Sequence, residues 1–169
     1  MKIVKKLIMP VIQSLLIIGT FFLMFLPCIY RLPGYQGAEG SFYTGFEAFY
    51  GIDNWFNVSV GAILIIIFFI AIVLLTVLRF FLKYNFRFYI NIVIGILLLA
   101  SIIFFILGAT GLMLNTTTLA SKQYLNEYYL AQGPYISILL LTINLGLTAI
   151  DEVIYRKSIK TQPVVEALK

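Results

Sequence analysis

Four long apolar stretches follow one another along the chain, and most polar residues lie in the segments between them. The stretches cover residues 7–30, 57–82, 88–114 and 134–155. Each has about the 20 mostly apolar residues that a helix needs to cross a bilayer. Strands of a membrane barrel would alternate apolar and polar side chains, and these stretches do not. Since backbone groups in lipid must bond within their own segment, the pattern predicts four transmembrane helices.

The predicted fold is an all-α membrane protein, an antiparallel bundle of four transmembrane helices that forms a single integral membrane domain over residues 1–169. The loop over residues 79–88 is short, so the second and third helices are expected to be antiparallel neighbours. Lys2, Lys5 and Lys6 precede the first stretch as in a secretory signal. The stretch is longer than a signal core and lacks a cleavage site, which favours an uncleaved first helix.

The loops on the other side of the bundle are rich in aromatic residues. Phe42, Phe46, Phe49 and Tyr50 recur at helical spacing, which predicts a short amphipathic helix over residues 41–50. Residues 116–133 predict a second short surface helix, with Ser121 as a candidate N-cap.

Basic residues give the predicted bundle a direction. With the N-terminus inside, ten of the twelve Lys and Arg residues lie on the inner side, and only Arg31 and Lys122 lie outside. Short loops rich in Lys and Arg remain in the cytoplasm. The sequence therefore predicts a multi-pass protein of the cell membrane with both termini, including a tail over residues 156–169, in the cytoplasm.

Composition agrees with a lipid environment. Hydrophobic residues make up 62% of the 169 residues and charged residues only 11%, whereas a soluble domain is nearer half apolar and a quarter charged. The basic residues lie at the ends of apolar stretches, where they contact lipid head groups. We therefore expect membrane lipids as partners, and no nucleic acid.

The chain has few groups for chemistry. It contains one cysteine, Cys28, and no histidine, which argues against a zinc or haem site. No nucleophile–base pair or phosphate-binding loop is found, so we predict no catalytic residue, no metal, no cofactor and no enzymatic activity. Asp151 and Glu152 resemble a functional acidic pair, but Arg156 and Lys157 follow at a spacing that favours salt bridges on the helix surface. An acidic pair facing a cavity would favour an enzyme instead.

Two groups of residues are candidates for interaction. The outer aromatic residues suit the interface belt of a membrane protein, which is the favoured interpretation, or a surface that binds a protein or an apolar ligand. In the fourth helix, Asn144 needs a partner across a helix interface, and small residues lie nearby. Packing of this face within the chain is favoured over packing on a partner. The candidate interaction residues are Phe42, Phe46, Phe49, Tyr50, Trp55, Thr142, Asn144, Gly146 and Ala149.

The first part of the chain resembles a known group of proteins. Phe25-Leu26-Pro27, a glycine-rich loop and then residues 44–51 are similar to a pattern in small, uncharacterised four-helix membrane proteins of low-GC Gram-positive bacteria and mollicutes. The bias toward Ile, Phe, Asn, Lys and Tyr is typical of an AT-rich bacterial genome. The resemblance implies a fold and a location in a bacterial membrane, and no activity.

These observations lead to two hypotheses about function. The first is a non-enzymatic accessory, scaffolding or immunity-type protein that interacts with other membrane-protein subunits or with itself. It follows from the uncharged interior expected for the bundle and from the aromatic outer loops. The second is a small oligomeric transporter or channel for an apolar or lipid-like solute.

Overall fold

The computed structural model describes residues 2–32, 40–51, 56–79, 81–82, 84–110, 114–116 and 128–166. Within these ranges the chain is mostly helical and also forms short strands. The helices are α1 (Lys2–Phe22), α2 (Gly45–Tyr50), α3 (Val60–Leu78), α4 (Tyr84–Ile106) and α5 (Gln132–Glu166). The strands are β1 (Pro27–Arg31), β2 (Ser41–Thr44), β3 (Phe56–Asn57), β4 (Asn115–Thr116) and β5 (Tyr128–Leu130).

The four long helices, α1, α3, α4 and α5, are each long and apolar enough to cross a membrane, as predicted. They pack in a ring, in which α1 contacts α3 and α5, and α4 contacts the same two helices. The buried positions of α3 recur every three or four residues, which is the spacing of one helix face. These positions are Gly61, Ala62, Ile65, Phe69, Ile72 and Thr76. The outward faces of the ring expose large aliphatic side chains, for example Leu15, Ile67 and Ile96.

A cap of strands and the short helix α2 connects the C-terminal ends of α1 and α4 to the N-terminal ends of α3 and α5. Its three-stranded sheet has the order β2-β1-β5 with antiparallel neighbours, and β3 pairs with β4. Ile29, Phe49 and Phe56 form a core beneath this sheet, with exposures of 0%, 0% and 1%. The cap therefore has a hydrophobic core of its own, continuous with that of the helices.

The first predicted helix, over residues 7–30, is wrong in its last third. α1 ends at Phe22, one 3-10 turn follows, and Pro27 begins β1. Leu26 has φ −81° and ψ 162° because the ring of a following proline keeps a residue out of the helical region. The apolar residues after Pro27 are buried in the cap rather than facing lipid.

The predicted amphipathic helix over residues 41–50 is correct only from Gly45 onward. The Thr44 side chain accepts from the backbone N–H of Glu47 at 3.3 Å, and Glu47 accepts from the backbone N–H of Thr44 at 2.7 Å. This capping box begins α2 at Gly45. Ser41 to Thr44 instead pair with β1 as β2.

The remaining boundaries also differ from the prediction. α3 lies within the predicted residues 57–82, but α4 runs from Tyr84 to Ile106 rather than over 88–114. Leu114 is buried in the cap core instead. α5 continues through the predicted tail to Glu166. Of the predicted surface helix over residues 116–133, Tyr128–Leu130 is a strand because it pairs with β1, and Ser121 lies outside the described residues.

Candidate functional site

A cluster of polar side chains joins the four long helices at the end away from the cap. We call it the polar cluster. Its members lie on α1, α4 and α5, except for Arg79, which directly follows α3. They are Gln13, Arg79, Arg87, Asn91, Asn144, Thr148, Asp151 and Glu152.

Arg79 is the centre of the polar cluster. Its side chain is 1% exposed and contacts three helices at once. One guanidinium nitrogen donates to Oε1 of Gln13. The other donates to Oδ1 of Asn91 at 3.1 Å and lies 3.5 Å from Oδ2 of Asp151. The predicted uncharged interior is therefore wrong at this end, because Arg79, the residue that follows α3, turns inward.

The two carboxylates of the polar cluster are both paired with guanidinium groups. Oδ2 of Asp151 accepts from Arg87 at 2.6 Å, and Oε1 of Glu152 accepts from Arg156 at 2.8 Å. The predicted surface pairing is confirmed for Glu152 and Arg156. Asp151 instead pairs with residues outside its own helix, which neutralises its charge and suits a role in holding helices together.

Asn144 bonds across a helix interface, as predicted. Its side-chain N–H donates to the backbone oxygen of Gln13 at 3.0 Å, and Gln13 donates to the hydroxyl of Thr148 at 2.8 Å. Thr142, Gly146 and Ala149 are exposed, so the prediction that these three residues pack against another helix of the chain is wrong. Positions two apart on a helix point about 200° apart, which places Thr142 and Gly146 outward when Asn144 points inward.

Grooves run between the long helices in the described part of the chain. One, of about 380 Å³, lies between α1 and α3 and is lined by apolar residues including Ile17, Phe21 and Val73. Another, of about 190 Å³, lies between α4 and α5, and we call it the α4–α5 groove. Its lining includes Phe88, Asn91, Gly95, Leu145, Ala149 and Glu152. Glu152 thus faces a groove, whereas Asp151 is held between Arg79 and Arg87.

The cap presents a row of aromatic side chains on the outer face of its sheet. Tyr30 pairs with Phe42 on one side and with Tyr129 on the other. Phe42 is 64% exposed and Tyr129 is 50% exposed, and the Tyr30 and Phe42 ring centroids are 4.7 Å apart. On the opposite face, Ile29 and Tyr128 are buried. We call Tyr30, Phe42 and Tyr129 the aromatic row.

Of the aromatic candidates named from the sequence, only Phe42 among the described residues is exposed. Phe46 and Tyr50 are half-buried, and the Tyr50 hydroxyl donates to the backbone oxygen of Ala62 at 3.4 Å. Phe49 is 0% exposed and belongs to the core. Trp55 lies outside the described residues. The helical spacing did not predict their exposure, because Phe42 lies in a strand and the other three lie in a short helix of the cap.

The candidate interaction residues named from the sequence did not include Tyr30 or Tyr129, which was expected in the second surface helix, and Arg79 was placed in a loop. Pro27 was the available signal for Tyr30, since it ends the helix and lets the next residues alternate between two faces. For Arg79 the signal was its position beside Asp151 at the inner ends of two predicted helices. The hydrogen bonds to Gln13 and Asn91 required the tertiary structure.

Burial shifts the pKa of two titratable groups of the cap. Burial raises the pKa of the Cys28 thiol to about 12, and a backbone hydrogen bond from Gly45 lowers it by less. Burial likewise raises the pKa of the Tyr50 hydroxyl to about 12, with the charge of Cys28 acting in the same direction. Both groups are therefore protonated at neutral pH. Among the described residues, no group of three or more Cys, Asp or Glu side chains is placed to hold a metal ion.

No protein-family model, curated protein or solved structure matches this chain.

Proposed function

We propose that this chain is a non-enzymatic protein of the cell membrane whose cap binds another subunit of a membrane assembly. The four apolar helices support the membrane location, because their outward faces expose isoleucine, leucine and valine around the whole ring. In water such a surface would be far larger than the apolar patches of soluble monomers. In lipid it needs no further partner.

An antiparallel bundle accounts for the order of the contacts between helices. Gln13 of α1 bonds to Thr148 of α5, and Gly19, further along α1, lies against Leu140, which comes earlier in α5. The same reversal relates α4 to α5, where Asn91 meets Glu152 and Gly95 lies against Leu145. In this arrangement the polar cluster faces the cytoplasm, where the basic residues are expected, and the cap lies outside.

The aromatic row is the observation that carries the binding function. Its rings lie on the face of the sheet opposite the buried Ile29 and Tyr128, so they point away from the core of the protein. Exposed aromatic side chains held on a rigid element lose little conformational entropy on binding, and they are enriched in protein interfaces. The sheet therefore suits a partner that covers these rings.

The alternative, a transporter or channel, has less support. Large side chains fill the interior of the ring between the polar cluster and the cap: Ile17, Ile72, Leu98 and Leu141 are 2%, 1%, 0% and 0% exposed. The described part of the bundle thus has an apolar plug where a polar path would run. The charged groups of the polar cluster are paired with one another rather than facing such a path.

The membrane arrangement predicts where the ends of the chain lie. A reporter that is active only in the cytoplasm should be active when it is fused after Lys169. A cysteine introduced at the exposed Phe42 should react with an impermeant thiol reagent in intact cells. Native Cys28, which is buried, serves as the unreactive internal control. A protein that remains dissolved in buffer without detergent would contradict the membrane location, and an external reporter would contradict the orientation.

The binding function predicts a position-specific crosslink. A photoreactive amino acid at Phe42 should give one discrete protein adduct in cells, and Tyr129→Ser should weaken it by about tenfold, the typical effect of one interface aromatic. The matched control is the same amino acid at Ile70, which is 56% exposed on α3 and should meet lipid. Identical products at the two positions, or no protein adduct at Phe42, would refute the function.

A further inference from the structure

The α4–α5 groove combines a charged end with an apolar floor. Asn91 and Glu152 lie at one end, and Gly95, Leu145 and Ala149 form the rest of the lining. Ala149 is exposed, so the groove opens on the outer surface of the two helices. If α4 and α5 span the membrane as proposed above, this opening faces lipid at the level of the inner head groups.

The charged end carries opposite charges side by side. Nε of Arg156 lies 2.8 Å from Oε1 of Glu152, and the Arg156 guanidinium stacks over the Phe88 ring at 4.6 Å. Asn91 donates to Oε2 of the same carboxylate at 2.7 Å. A carboxylate has about four acceptor sites, so Glu152 retains capacity for another donor. An acid beside a base is complementary to a zwitterion that places a cation on the acid and an anion on the base.

The floor of the groove is open because Gly95 and Ala149, which line it, are small. A Cβ added at Gly95 would lie 3.8 Å from Leu145, and Ala149 contributes one methyl group. The volume of about 190 Å³ is below the roughly 300 Å³ at which pockets begin to enclose a drug-sized ligand. Such a trough fits the upper part of one acyl chain and leaves the remainder in the bilayer.

We infer that the α4–α5 groove binds a phospholipid whose head group carries a primary ammonium, with this ammonium on Glu152 and the phosphate beside Arg156. A primary ammonium donates N–H hydrogen bonds to the carboxylate, whereas a quaternary ammonium has no N–H to donate. The site therefore prefers phosphatidylethanolamine over phosphatidylcholine. The inference rests on the membrane location of the proposed function and is independent of the cap.

Native mass spectrometry of the detergent-extracted protein tests this preference. After equilibration with equal amounts of phosphatidylethanolamine, phosphatidylcholine and phosphatidylglycerol, we expect the ethanolamine adduct to exceed the choline adduct by about tenfold, the effect of one hydrogen bond to a charged group. Glu152→Gln removes the negative charge and keeps one acceptor oxygen in place of the two that accept from Asn91 and Arg156, so it should abolish the preference. Ala149→Phe should fill the trough and reduce all lipid adducts.

The matched control is Gly146→Phe. Gly146 is exposed on the same helix, and an added Cβ would meet nothing within 4 Å, so this variant should retain the adducts of the unmodified protein. The inference would be overturned if phosphatidylethanolamine and phosphatidylcholine were retained equally, or if Glu152→Gln kept the preference. Displacement of lipid by a second copy of the chain would also overturn it. A protein soluble without detergent would refute the membrane location itself, which separates the two failures.

Discussion

Asp151→Ala is expected to destabilise the protein by about 3 kcal/mol, because it removes one partner from a buried ion pair. Asp151 is 13% exposed, and it compensates Arg79, which is 1% exposed, and Arg87, which is 14% exposed. Without the carboxylate, two guanidinium groups remain close together in a poorly solvated site. Thermal unfolding in detergent, followed by circular dichroism, measures the loss.

Two variants separate this effect from ordinary loss of a surface charge. Arg156→Ala breaks an ion pair whose basic side chain is 46% exposed, and Glu152 still accepts from Asn91, so it should cost less than Asp151→Ala. The double variant Arg79→Met with Asp151→Ala should recover part of the loss, since removing both charges leaves no uncompensated cation. If Asp151→Ala melts at the same temperature as Arg156→Ala, the polar cluster does not stabilise the helix ring.

Gly51→Ala is expected to destabilise the cap by at least about 2 kcal/mol, since an L-residue with left-handed backbone angles already costs roughly 1–2 kcal/mol. Gly51 has φ +65°, and an added Cβ would lie 2.8 Å from the backbone oxygen of Phe56 and the backbone nitrogen of Val58. Neither backbone atom can move aside without shifting β3 or the start of α3. Limited proteolysis and thermal unfolding measure the effect.

Gly146→Ala is the matched control for this change. It replaces a glycine inside α5 at an exposed position where an added Cβ meets nothing within 4 Å. Helix propensity then favours alanine by up to about 1 kcal/mol, so stability should be unchanged or raised. Equal behaviour of the two alanine variants would show that the left-handed turn at Gly51 does not hold the cap.

The two ends of the molecule differ in what their residues contact. At the end with the polar cluster, charged side chains pair with one another across helices, as Arg79 does with Asp151. At the cap, Phe42 and Tyr129 remain exposed on a sheet whose other face is buried. Pairing across helices therefore stabilises the first end, whereas the proposed binding function rests on the exposed aromatic residues of the second.

The sequence by itself determined the number of long helices and the residues available for chemistry. An apolar stretch of about 20 residues is a local property, so α1, α3, α4 and α5 were predicted without any knowledge of their neighbours. The bond of Asn144 across a helix interface was also predictable, since a buried amide must find a partner wherever the chain places it.

Only the tertiary structure decided which apolar residues face the cap core and which surround the helices. Leu114 and Ile29 belong to apolar stretches, yet both are buried in the cap, and composition alone does not separate these environments. The aromatic row exists because β1 pairs with β2 and β5, and pairing between distant strands leaves no local pattern. Arg79 turns inward because Gln13, Asn91 and Asp151 meet at one point, and only packing of the helices brings those three residues together.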